Sequence, residues 1–223
     1  MKLVAVVGSR KLPSSWAGKV SQVVSDLVRR SCRIGSGGAL GADLFALQAV
    51  VNLGRGVCEG SKVFLPGSHL QAPPASRELL RRFESQGGCI VPGSVAGKST
   101  SRSEYVGALF NRSVELVKVS SGIVAFIAGE SKGTWFTCEQ AARLGKQIVL
   151  FTADGLRSLH SLGCGSWVPV SCWQGAWRWE TSVPAGNKCR HGIVVECCGV
   201  GLYRGKGPGR EEMSDEDPFD ASA

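Results

Sequence analysis

Apolar residues recur along the chain in two alternating rhythms. Leu3-Val4-Ala5-Val6-Val7 is a short unbroken apolar run stopped by Gly8-Ser9-Arg10, the pattern of a strand buried on both faces of a parallel sheet. Over residues 14–30, Val20, Val23, Val24, Leu27 and Val28 return at helical spacing, with Ser14 or Ser15 as the cap. The alternation continues with a strand at Arg33–Ser36 that runs into Gly37-Gly38 and a helix at Leu40–Leu53. A strand at Lys62–Pro66, a helix over 75–86, a strand at Cys89–Val91 and a helix over 101–119 follow. Ile123–Ala128 is a strand, Thr134–Leu144 a helix and Gln147–Thr152 a strand. Strands alternating with helices of this length imply crossover connections and a mostly parallel, three-layer α/β sheet. Residues 1–152 therefore read as a Rossmann-like domain.

Beyond Thr152 the rhythm changes. Residues 153–203 hold Trp167, Trp173, Trp177 and Trp179 and five of the nine cysteines, punctuated by Gly and Pro. Ser166–Val170 and Gly192–Glu196 read as short strands, so a small β-rich appendage is expected. Residues 204–223 are rich in Gly, Pro and acid and are expected to be a disordered tail. No apolar run approaches the roughly 18–20 residues that span a bilayer. Leu3–Val7 is too short for a signal-peptide core, so the expectation is a cytoplasmic chain with no membrane contact. An odd cysteine count without a secretion signal reads as thiols rather than a disulfide framework.

The net charge of +8 is unevenly spread. Residues 1–152 carry 19 Lys/Arg against 9 Asp/Glu, whereas residues 211–223 carry six acids and no base. A basic body suggests a polyanionic partner such as nucleic acid or nucleotide phosphate; ordinary solvated surface charge is the alternative.

Three segments sit where a strand gives way to a helix: Gly8-Ser9-Arg10, Ser36-Gly37-Gly38-Ala39-Leu40-Gly41-Ala42-Asp43, and Gly129–Thr134. Helix N-termini at strand ends present unpaired N–H groups and a dipole that favours anions, and glycine lets backbone approach a phosphate. Asp43 falls in a first helical turn, suited to a ribose hydroxyl or to donors of the turn itself. Each segment alone reads equally as a tight strand–helix turn; three at the ends of one sheet point to a site. Neither the dinucleotide fingerprint after the first strand nor a Walker spacing is present.

The order Gly8-Ser9-Arg10, Ser36 to Asp43, Asn111-Arg112, an apolar strand, then Gly133-Thr134 opening a helix resembles the SLOG superfamily. That superfamily includes DprA/Smf DNA-processing proteins, Lonely Guy phosphoribohydrolases and nucleotide-sensing Rossmann domains. The resemblance covers about residues 1–152, and Ser36–Asp43, its most specific piece, is similar to the DprA and small stand-alone SLOG form. The residue before Asn111 is Phe110, so the first arginine of the family's Arg-Asn-Arg, and one anion contact with it, is absent. The resemblance implies a nucleotide or single-stranded DNA held by the quoted residues, in DNA processing or nucleotide sensing. A homodimer, and a protein partner for the acidic tail, are further expectations; a merely solubilising tail is the alternative.

Whether the chain is an enzyme stays open at this point. A nucleoside monophosphate phosphoribohydrolase of the Lonely Guy kind would carry a glutamate close after its Gly-Thr. The third residue after Thr134 is Thr137, and Glu139 lies about 200° further round the helix. Glu130 and Glu139 are the candidate catalytic acids, with solvent-facing helix residues as the alternative.

In the tryptophan-rich region, Trp173, Trp177 and Trp179 near Arg178, Lys188 and Arg190 read either as base-stacking groups or as the core of a small β unit. Cys164, Cys172, Cys189 and Cys197, with His160 and His191, are numerous enough for zinc. Their wide spacing favours thiols and no metal or other cofactor.

Overall fold

The computed structural model describes residues 1–69, 72–94, 101–155 and 159–182. Six strands run parallel: β1 (Leu3–Gly8), β2 (Arg33–Ser36), β3 (Lys62–Phe64), β4 (Cys89–Val91), β5 (Gly122–Ile127) and β6 (Gln147–Thr152). A hairpin, β7 (Gly165–Pro169) and β8 (Ala176–Thr181), adds to the β6 edge antiparallel, giving one sheet in the order β4-β3-β2-β1-β5-β6-β8-β7. The expected Rossmann-like, three-layer α/β fold with a mostly parallel sheet is the fold observed.

The helices are α1 (Ala17–Arg29), α2 (Ala42–Leu53), α3 (Arg55–Cys58), α4 (Pro74–Ser85), α5 (Arg102–Val119) and α6 (Lys132–Arg143). Alternation along the central strands decides which core each side chain joins. Val4, Val6, Val124 and Phe126 pack with α1, α2 and α4. Ala5, Val7, Ile123, Ala125 and Ile127 pack with α5 and α6 on the other face. With both faces covered, the central strands read as continuous apolar runs rather than alternating ones.

The strand order reverses between β1 and β5: the chain moves outward through β2, β3 and β4 on one side, then returns to build β5 and β6 on the other. At such a switch point the loops leaving the two strands diverge and open a crevice beyond their carboxyl ends.

The tryptophans of the hairpin serve packing. Trp173 is buried in the first core and its indole N–H donates to Asp26 Oδ2 at 2.9 Å. Trp179 is buried in the second and meets Trp167 edge-to-face at 5.2 Å. The described part of the tryptophan-rich segment therefore continues the body's sheet and both its cores. Lys188, Arg190 and His191, the strand expected at Gly192–Glu196 and the tail 204–223 lie outside the described residues. Among the described residues no helix is long and apolar enough to cross a membrane.

Phe126, fully buried at the centre of the sheet, stacks on Phe151 with centroids 4.8 Å apart. Phe126→Ala is expected to cost about 3–5 kcal/mol, whereas truncating the half-exposed Leu144 is expected to change stability by less than about 0.5 kcal/mol. Urea denaturation of the two variants measures the contrast; equal effects would contradict this packing.

Candidate nucleic-acid interface

A cleft of about 610 Å³ opens at the switch point, over the ends of β1, β2 and β5 and against α5 and the start of α6. Of the residues singled out from the sequence, Gly8, Ser9 and Arg10 line it from β1, Gly37, Ala39 and Asp43 from the β2–α2 turn, Arg112 from α5, and Gly133 and Thr134 from α6. Glu130 is on its exposed rim. Ser36, Gly38 and Gly41 shape the turn behind this lining, and Asn111 and Glu139 face solvent outside it. Three glycine turns spread between Gly8 and Thr134 thus meet in one place.

Its floor is held by side chains facing inward. The Ser9 N–H donates to Phe126 O at 2.8 Å, and its Oγ accepts from Ala128 N–H at 2.9 Å and donates to Ala128 O at 3.0 Å. Ser9 therefore ties the end of β1 to the end of β5. Ser36 is buried and its hydroxyl donates to Asp43 O at 3.4 Å. Gly41, at φ +71°, makes the turn into α2, and a Cβ there would lie 2.2 Å from Ser9 O, so only glycine fits. This is why α2 begins at Ala42 rather than at Leu40.

Asp43 is 3% exposed and lies 3.7 Å from Arg112 Nη1. Its Oδ2 accepts the Ala39 N–H at 3.2 Å, and the Gly8 backbone N–H beside it also favours the charged carboxylate. Arg112 Nη1 also donates to Phe64 O, at 3.4 Å. The guanidinium lies so close over Gly37 that a Cβ on that residue would stand 1.9 Å from Nη1. One buried pair thereby links β1, the β2–α2 turn, the end of β3 and α5. Its positioning helix starts in a reciprocal cap, in which Ser101 Oγ accepts the Glu104 N–H and the Glu104 carboxylate accepts the Ser101 N–H.

Burial raises the Asp43 carboxyl above its usual 3.8, and outweighs the opposing pull of Arg112, the Ala39 N–H, Arg10 and the Gly8 N–H. Burial likewise lowers Arg112, against the attraction of Asp43. The pair therefore costs solvation, and what it supplies is the shape of the turn.

The groups left open to an anion are Arg10, Lys11 and Lys132, all exposed on the lining, and the exposed start of α6 at Lys132 and Gly133, the Thr134 N–H being given to Ser131 O at 3.0 Å. The sequence pattern singles out neither Lys11, which adjoins the first glycine turn, nor Lys132, which lies within the third. It also misses Val106 and Leu109 on the cleft wall, and treats Phe110 only as a missing arginine. Thr137 lines the cleft where a hydrolase of the Lonely Guy kind would carry an acid, and its hydroxyl donates to Gly133 O at 2.9 Å.

Among the described residues no group of three His, Cys, Asp or Glu is placed to hold a metal. Cys189 and Cys197 lie outside the described residues. Cys164 is disulfide-bonded, which corrects the reading of the cysteines as thiols at that position: spacing alone does not separate a thiol from a half-cystine. Cys32, Cys58 and Cys138 are buried thiols, and the His160 ring stacks on Trp135 at 4.4 Å.

A family model described as DNA recombination-mediator protein A matches residues 1–170. Protein Smf of Borreliella burgdorferi is 28% identical over 163 residues, which are 71% of this chain and 50% of that protein. The chain thus spans about half the length of this curated relative. DNA processing protein A from Helicobacter pylori, a single-stranded DNA-binding protein, superposes with a TM-score of 0.52 at 18% identity, covering 68% of this chain and 64% of its own. The Streptococcus pneumoniae protein superposes with a TM-score of 0.52 at 22% identity, covering 70% and 53%. At these identities the likeness is one of fold.

Asp43→Ala is expected to destabilise by about 3–5 kcal/mol, because it strands a buried guanidinium. Asp43→Ala with Arg112→Met is expected to lose less than the two single changes summed, by about 1–3 kcal/mol. Urea denaturation of the four proteins measures this; additivity would mean that the pair is not coupled. A raised carboxyl also means that the folded state keeps a proton the unfolded chain has released. Stability from Asp43 should therefore fall as pH rises from 3.8 to its folded midpoint. A side-chain carboxyl NMR titration is expected to place that midpoint above 3.8, and a midpoint at or below it would contradict the burial argument.

Proposed function

Because the chain belongs to the DNA recombination-mediator protein A family, we propose that it binds single-stranded DNA at the switch-point cleft and acts in DNA processing. The observation that carries this reading is the convergence of Arg10, Lys11, Lys132 and the α6 N-terminus on one cleft whose acidic floor residue is already paired. The exposed cations and first-turn N–H groups hold successive phosphates, while Ser9, Asp43 and Arg112 keep the turns in place. A basic body of the chain raises the local strand concentration and makes the affinity salt-sensitive.

The proposal is binding rather than catalysis. Hydrolysis of an N-glycosidic bond would need an acid beside the ribose, and the position suited to one is Thr137, with its hydroxyl engaged in its own helix. Incubation with nucleoside monophosphates is accordingly expected to release no free base. A cytoplasmic location, a homodimer and a protein partner for the acidic tail extend the same proposal. Sedimentation of the full chain with and without oligonucleotide reports on the homodimer.

Fluorescence anisotropy with an oligothymidylate across a salt series tests the central reading. Binding is expected to weaken linearly in log–log form. Arg10→Ala and Lys132→Ala should each reduce the slope by about 0.7 if each holds one phosphate. Salt-independent binding, or none at low ionic strength, would overturn the proposal.

A further inference from the structure

The cleft has two unlike walls. The end of β1 and the start of α6 supply Arg10, Lys11 and Lys132, whereas α5 supplies Val106, Leu109 and Phe110. Phe110 is 38% exposed and Val106, four residues earlier on the same face, is 40% exposed, so the α5 wall keeps apolar surface in water at the cleft mouth. The Phe110 ring is braced on one side. It meets Phe136 of α6 edge-to-face, with centroids 4.6 Å apart and planes at 71°, a geometry in which aromatic pairs attract. An aromatic ring braced from one side and open on another, in a cleft that also carries cations, suits a ligand with an anionic edge and a flat face.

We infer that Phe110 is the base-stacking group of this cleft: a nucleobase of the bound strand stacks on its ring while the neighbouring phosphates lie against Arg10 and Lys132. The inference rests on the proposed DNA binding and deepens it. The residue that the Arg-Asn-Arg pattern would make a phosphate contact here makes a base contact instead. Stacking needs only a π-face, so this contact is tolerant of sequence and adds no counterion release.

The experiment compares Phe110→Ala, Phe110→Trp, Phe110→Leu and Phe110→Arg with the unaltered chain. Each is measured for binding to oligothymidylate and to an abasic oligonucleotide of equal length over a salt series. Phe110→Ala and Phe110→Leu are expected to weaken oligothymidylate binding about 5- to 100-fold, with Phe110→Trp retaining it. Binding of the abasic strand and the salt slope should stay unchanged in these three. Phe110→Arg is expected to lose the preference for the base-bearing strand and to steepen the salt slope by about 0.7, the signature of one new phosphate contact. Equal loss on both strands would make Phe110 a backbone or purely structural contact and overturn the inference, as would unchanged affinity of Phe110→Ala. If the unaltered chain binds neither strand, the proposed function itself falls and takes the inference with it.

Discussion

The Asp43–Arg112 pair is the contact on which the cleft depends. Four segments distant in sequence meet at it: Ala39 donates to the carboxylate with the Gly8 backbone beside it, Phe64 accepts from the guanidinium, and Arg112 is brought in by α5. Burial shifts both partners against their charged forms. A pair that loses solvation on both sides is not there for stability alone; it fixes how closely the glycine turn lies over α5. Gly37 follows directly from this, because any side chain at that position would enter the space the guanidinium occupies.

The consequence is a division of labour among residues that look alike in sequence. Ser9, Ser36, Asp43 and Arg112 turn inward and hold strand ends and turn together. Arg10, Lys11 and Lys132 turn outward into the cleft. With Asp43, the one buried acid among the described residues, paired with Arg112, the exposed lining offers Arg10, Lys11 and Lys132 against the rim carboxylate of Glu130, an excess of positive charge. The α5 wall, apolar and aromatic, gives the cleft a second character that charge alone does not supply.

Much of the fold was legible in the chain. Both faces of the sheet are covered, so β1, β5 and β6 are unbroken apolar runs and their bounds fall within a residue of those read from pattern. β8 escaped because Ala176-Trp177-Arg178-Trp179-Glu180-Thr181 buries only Ala176 and Trp179, neither an apolar run nor a strict alternation. α3 escaped because it is a single turn, Arg55–Cys58, too short for periodicity to register. The three glycine turns were found from local chemistry. Their meeting in one cleft follows from strand order, and the Asp43–Arg112 pair from helix placement, neither of which a local pattern encodes. Phe110 stood out in sequence only as an absent arginine; its exposure and its bracing by Phe136 make it a feature in its own right.

The proposed nucleic-acid interface is the strand-end cleft and not the tryptophan-rich hairpin. Backbone amide chemical-shift mapping of the full chain during titration with oligothymidylate separates the two surfaces. The largest shifts are expected at Gly8–Lys11, Gly37–Ala39, Val106–Phe110 and Lys132–Thr134. Shifts concentrated instead on Gly165–Thr181, with those segments unmoved, would contradict it.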